Sequence, residues 1–221
     1  MKLRLRSVAC VALLMPVLAW AASKARQEYL EAVRLEPNLE HGAELFETCA
    51  ICHGPKGAGT TNGDVPRIAG QHFKVLVKQL VDFRHQRRWD IRMERFTETH
   101  LIEGPQDIAD VAAYVSQLDR PEAHGAGPGE LVERGAALYA ARCQSCHLEE
   151  GAGDEDKLVP RIGGQHYEYL IRQMHDAVDG RRPNFSRSHI RLLARLDYQE
   201  LMAVADYLSR AGWEPGNARQ Q

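Results

Sequence analysis

The sequence predicts an all-α chain built of two similar units, and three observations predict it. The string PRIAGQH at Pro66 to His72 returns as PRIGGQH at Pro160 to His166, 94 positions further on. Apolar residues in each copy recur at helical spacing: Phe73, Leu76, Val77 and Leu80 are matched by Tyr167, Leu170, Ile171 and Met174. No segment alternates apolar and polar residues as a half-buried strand would.

Residues 1–21 read as an export signal. Lys2, Arg4 and Arg6 precede an apolar stretch up to Leu18, which closes on Ala19-Trp20-Ala21. Such a stretch is too short for a permanent span. The expectation is a mature chain that starts near Ala22, in the periplasm, with no lasting membrane anchor. Cys10 comes early in the stretch rather than after it, which argues against lipidation, and it is removed with the signal.

Residues 22–37 form a lead-in segment, helical from Lys24 to Glu36 and ended by Pro37. The first unit is placed at 38–119 and the second at 130–212, followed by a tail at 213–221. The linker, 120–129, contains Pro121, Gly125, Gly127, Pro128 and Gly129, which sustain neither a helix nor a central strand. The last helix of each unit is read from Ile108, Val111, Ala112 and Val115, and from Leu201, Val204, Ala205 and Leu208. Units this small usually need a staple, and a covalently held cofactor can serve as one.

The chain has 28 basic and 30 acidic residues, a net charge of −2. Removing the signal takes three basic residues and no acidic one. A mildly acidic chain with scattered arginines carries no nucleic-acid footprint.

The chemistry lies in the cysteines. Outside the signal there are four, all within Cys49-Ala-Ile-Cys52-His53 and Cys143-Gln-Ser-Cys146-His147. C-x-x-C-H is the signature of covalent c-type haem attachment: one helical turn places two thiols for thioethers while the adjacent imidazole faces the iron. A redox C-x-x-C pair or half a zinc site competes for a single copy. Two copies, each followed by His and without strand–helix alternation, favour two haem c groups, and zinc would require other ligands.

These residues, with CHGPKGAG after Cys52, PRIAGQH, Gln79-Leu80 and Ala112-Ala113-Tyr114, resemble the dihaem cytochromes of the cytochrome c4 family, two class I cytochrome c domains in tandem. The resemblance implies that Gly42 and Phe46 cross Tyr114, and that Gly135 and Tyr139 cross Tyr207, where first and last helices pack. It also implies that the Pro66 and Pro160 carbonyls accept hydrogen bonds from His53 and His147, fixing their tautomers.

Family members usually place a Met opposite each His, on a loop before the last helix. In the second half Met174 and Met202 sit at core positions, and the loop carries His189 instead, which is read as the distal ligand. In the first half Met93 is read as the ligand, with His100 as the alternative. His72 and His166 read as polar helix-end residues, and His41, His85, His124 and His175 as surface residues. Arg87, Arg88, Arg181 and Arg182 read as solvated, although as repeated pairs they could reach haem propionates.

Thioether ligation favours Fe(II) and paired imidazoles favour Fe(III), so haem 1 is expected at the higher potential. The function expected is electron carriage between redox proteins in the periplasm. The donor would be a dehydrogenase or quinol-oxidising complex, and the acceptor an oxidase or reductase. The alternatives are a dihaem peroxidase, a thiosulfate-type dehydrogenase, or a dedicated oxidoreductase subunit docking through the lead-in helix.

Overall fold

The computed structural model describes residues 24–120 and 125–212. The expected export signal with Cys10, His124 in the expected linker and the tail at 213–221 lie outside the described residues. Among those described there is no strand, only an isolated bridge between Asp154 and Val159. No described helix is long and apolar enough to cross a membrane.

The backbone is helical over 24–32 (α1). In the first domain follow α2 (Leu39–His53), α3 (Phe73–Arg84), α4 (Ile91–Phe96) and α5 (Pro105–Gln117). The second holds α6 (Val132–Arg142), α7 (Gln144–His147), a 3-10 turn (Glu149–Gly151), α8 (Tyr167–Val178), α9 (Arg187–Leu193) and α10 (Tyr198–Arg210). Their starts follow local chemistry. Asn38 accepts from the N–H groups of Glu40 and His41, Asp90 from those of Arg92 and Met93, and Asp197 forms a capping box with Glu200.

Each domain is built on one close helix crossing, α2 against α5 and α6 against α10. A Cβ on Gly42 would stand 2.2 Å from the Asp110 carbonyl oxygen, and one on Gly135 would stand 1.9 Å from that of Ala203. Glycine is what lets these backbones meet. Beside each crossing an aromatic pair closes the gap, Phe46 with Tyr114 at 5.4 Å and Tyr139 with Tyr207 at 5.3 Å between ring centroids. The crossings implied by the family resemblance are therefore present.

Buried aspartates fasten the chain where it enters each first helix. Asp110 accepts from the Asn38 N–H at 2.8 Å and from the Gln106 amide at 2.7 Å, and pairs with His41 Nδ1 at 2.8 Å. Asp206 accepts from the N–H groups of Gly129 and Leu131.

The lead-in helix packs on its own domain: Ala25 and Ala32 are buried in the first core beside Leu76, Val77 and Ile108. Glu28 accepts from Arg84 and pairs with His85 Nε2 at 2.6 Å. His41 and His85 are thus ion-pair partners rather than simple surface residues, and the His175 ring lies 5.6 Å from that of Tyr198.

The repeated PRIxGQH segments meet each other. Gln71 accepts from the Arg161 N–H at 2.9 Å and donates to the Arg161 carbonyl at 2.8 Å, while Gln165 does the same to Arg67 at 3.0 and 2.8 Å. His72 Nε2 reaches the Ala152 carbonyl at 2.9 Å and His166 Nε2 the Ala58 carbonyl at 2.7 Å. Reading these histidines only as helix-end residues was incomplete. Each does precede its helix, but its ring joins the other domain.

Candidate functional site

The two C-x-x-C-H segments fold differently. In the first domain Cys49, Cys52 and His53 all lie in the last turns of α2, and Gly54, at φ +74°, releases the chain. In the second, α6 ends at Arg142 and the one-turn α7 carries Cys146 and His147. None of the four cysteines is in a disulfide; the first of each pair is half-buried and the second exposed. Burial pushes the Cys49 and Cys143 thiols up to about 11.

Both histidines face the carbonyls that the family resemblance implied. His53 Nδ1 lies 3.0 Å from the Pro66 oxygen and His147 Nδ1 3.4 Å from that of Pro160. This makes Nδ1 the donor and leaves Nε2 as the nitrogen with a free lone pair. Burial lowers both imidazoles from their ordinary value against the opposing pull of those carbonyls, which favours the neutral ring.

Opposite His147 stands His189, their ring centroids 5.9 Å apart. A ligating imidazole nitrogen lies about 2 Å from its metal, so two imidazoles on opposite sides of one metal hold centroids roughly 6 Å apart. The His189 ring makes no hydrogen bond among the described residues; it packs on Phe185 at 4.7 Å. Burial first, then His147 and Arg182, lower its pKa to about 4. His189 belongs not to a loop, as the sequence suggested, but to the first turn of α9, whose cap Ser186 accepts from the His189 N–H at 3.2 Å.

The corresponding element of the first domain is also a short helix rather than a loop. Met93 is half-buried in the first turn of α4. His100 is exposed and its Nδ1 lies 3.3 Å from a Glu98 oxygen.

Between the domains runs a polar network that sequence reasoning missed. Arg88 donates to Gln79 at 2.7 Å, to the Tyr169 hydroxyl at 2.6 Å and to Gln173 at 3.0 Å. Arg182 donates to Gln173 at 2.8 Å and stacks 4.5 Å from the Phe185 ring. Burial, then Arg88, lowers Arg182 to about 9. For Tyr169 burial alone would raise the pKa, but the neighbouring guanidiniums outweigh it, led by Arg88. The expectation of solvated arginines fails for Arg88, which Tyr169 and Gln173 of the other domain engage, and for Arg182, which is half-buried against Gln173, Asn184 and Phe185. It holds for Arg87 and Arg181, which are exposed and paired with nearby aspartates.

Cysteine pairs outside any disulfide, each next to an imidazole whose Nδ1 is held and whose Nε2 is available, fit covalent haem in both domains. Residues 39–119 and 132–211 each match the cytochrome c family model. A cytochrome c4 from Thiocapsa roseopersicina is 34% identical over 179 residues, covering 75% of this chain and 88% of that one. The reduced recombinant cytochrome c4 from Pseudomonas stutzeri matches with a TM-score of 0.69 at 26% identity, over 80% of this chain and all of that one. A thiosulfate dehydrogenase from Marichromatium purpuratum matches with a TM-score of 0.68 at 28% identity, over 79% of this chain and 40% of that one. Two motif-bearing domains, two family matches and relatives of the same tandem build agree: the chain belongs to the cytochrome c family, as a dihaem cytochrome of the c4 kind with two covalently attached haem c groups.

Proposed function

We propose that this protein carries electrons between redox proteins of the periplasm, and that its two haems differ in their distal ligands. Cys49 and Cys52 hold haem 1, and Cys143 and Cys146 haem 2. His53 and His147 are the proximal ligands, Met93 the distal ligand of haem 1 and His189 that of haem 2. Bound haem supplies reversible one-electron exchange. The protein's part is to orient the proximal imidazoles through Pro66 and Pro160 and to keep water away by burial. With His53 and Met93 holding one haem and His147 and His189 the other, each iron would carry two protein ligands and offer no place to a substrate, which favours outer-sphere transfer over catalysis.

The observation that carries this reading is the close pair of His147 and His189, ring centroids 5.9 Å apart, a spacing that suits one metal between them, with His147 Nε2 and the His189 ring free of hydrogen bonds among the described residues. The Glu98 pairing and exposure of His100 favour Met93 in the first domain. Arg88 and Arg182, cationic and covered at the domain seam, are suited to carry propionate charge.

Near-infrared magnetic circular dichroism of the oxidised holoprotein tests the assignment, because thioether–imidazole and bis-imidazole haems have distinct charge-transfer bands. One haem of each type is expected. Two thioether-ligated haems would remove His189 from the site, and two bis-imidazole haems would replace Met93 with His100.

A further inference from the structure

The outer face of α9 is charged unlike any other part of the site. Residues 180–196 hold five arginines and no acidic residue, in a chain whose net charge is −2. Arg181 is paired with Asp176 and Asp179, and Arg182 is engaged with Gln173 and Asn184. Arg187, Arg191 and Arg195 are exposed, and their guanidinium groups enter no ion pair or hydrogen bond among the described residues. Arg187 and Arg191 stand one turn apart on α9, about 6 Å along its axis, and Arg195 follows in the turn just past the cap Ala194. His189 is two residues on from Arg187, roughly 200° around the helix, and so projects from the opposite side. The helix that brings His189 to His147, with the turn that ends it, therefore presents three uncompensated positive charges away from that pair.

The matching helix of the first domain does not. Around α4, residues 89–99 hold two arginines against three acidic residues, and Arg92 is paired with Asp90 at 3.1 Å. What that region exposes is apolar: Ile91 at 85% and Trp89 at 56%. The two ends of the molecule offer different chemistry to a partner.

We infer that the stripe Arg187, Arg191 and Arg195 is the docking surface for a redox protein with an acidic face, which exchanges electrons with haem 2 across α9. The inference rests on the electron-carrier reading and specifies one of its partners. Complementary charge steers such encounters and raises association rates by 10-fold to 1,000-fold, with a steep fall in salt. A partner seated on the stripe lies about one helix diameter, ~10 Å, from the His189 side. The chain is acidic overall, so attraction of an acidic partner must come from this local patch.

The test uses the dihaem holoprotein and reduced flavodoxin, a small acidic electron donor, with reduction of haem 2 followed by stopped flow across ionic strength. Arg187→Gln/Arg191→Gln/Arg195→Gln is compared with Arg26→Gln/Arg34→Gln/Arg134→Gln, which removes the same charge from exposed positions elsewhere. The stripe variant should lose about tenfold in second-order rate at low salt and most of its salt dependence, while the control stays within about twofold. Unchanged haem spectra and potentials in both variants would exclude damage to the site. Equal losses in the two variants would overturn the inference in favour of net charge. A stripe variant that keeps its rate but no longer sediments with phosphatidylglycerol vesicles, as the native protein would then do, overturns it in favour of a lipid surface. If dithionite reduces both haems and flavodoxin neither, at any salt, the electron-carrier reading itself fails and the inference goes with it.

Discussion

Gln71 holds the backbone of Arg161 by both its N–H, at 2.9 Å, and its carbonyl, at 2.8 Å, so that one side-chain amide imitates a strand partner across the domain boundary. Gln165 returns the same grip on Arg67. The duplication thus produced two copies of a surface that is complementary to itself about a pseudo-two-fold axis. The seam is polar, which sets what its loss should do.

Replacing Gln71 and Gln165 together by Leu takes a partner from six backbone groups, the N–H and carbonyl of Arg161 and of Arg67 and the N–H groups of His72 and His166, and should weaken domain docking by about 1–3 kcal/mol per residue. Each domain keeps its own core. Calorimetry of the holoprotein should therefore resolve two unfolding transitions in place of one, and small-angle scattering should show a larger radius. A single unchanged transition would mean that other seam contacts dominate.

The helix crossings lead to a second expectation. Gly42→Ala and Gly135→Ala each place a methyl within 2.2 Å of a backbone carbonyl oxygen, where no rotamer can relieve it. Each should destabilise its own domain by about 3 kcal/mol, by separating the two helices. Denaturant unfolding followed at the haem of the affected domain reads this, and the other domain serves as the internal control.

The part of this structure legible in sequence was the part written in local pattern. C-x-x-C-H, the 94-residue repeat and the apolar spacing of Phe73 to Leu80 state helices and haem attachment within a turn or two of themselves. The seam was not legible, because His72 and Ala152, or Arg88 and Tyr169, are about 80 residues apart and nothing in either segment names its partner. Arg88 reads as a solvated residue until Tyr169 and Gln173 of the other domain engage it. The short helix α9 could have been found, since Ser186 three residues before His189 is an ordinary cap signal. The polar Arg-Ser-His start hid it.

His41 provides a pH handle on the first domain. Its pKa is raised chiefly by the hydrogen bond to buried Asp110, against a small opposing effect of burial. A group whose folded pKa lies above its unfolded value of about 6.5 stabilises fully below that value, and the contribution is lost as pH rises through the folded pKa. Stability of the first domain should thus fall on going from pH 6 to pH 8. The imidazole is 40% exposed, so the change should be about 0.5 kcal/mol. His41→Gln should flatten the profile over this range, as read by urea unfolding at fixed ionic strength.

The ligand assignment makes the sharpest prediction. His189→Ala removes the imidazole facing His147 while leaving Ser186 to cap α9 and Phe185 to pack against the pocket. Haem 2 should turn high-spin, its potential should rise because imidazole no longer stabilises Fe(III), and free imidazole added to the solution should restore both properties. Met93→Ala should instead lower the potential of haem 1 and spare haem 2. In the native protein haem 1 should be the higher-potential site. A merely structural role for His189 would change stability without a spin-state change that imidazole reverses, so rescue separates the two roles even where the variant is less stable. His100→Ala, which removes only an exposed pair with Glu98, should leave both spectra as they are.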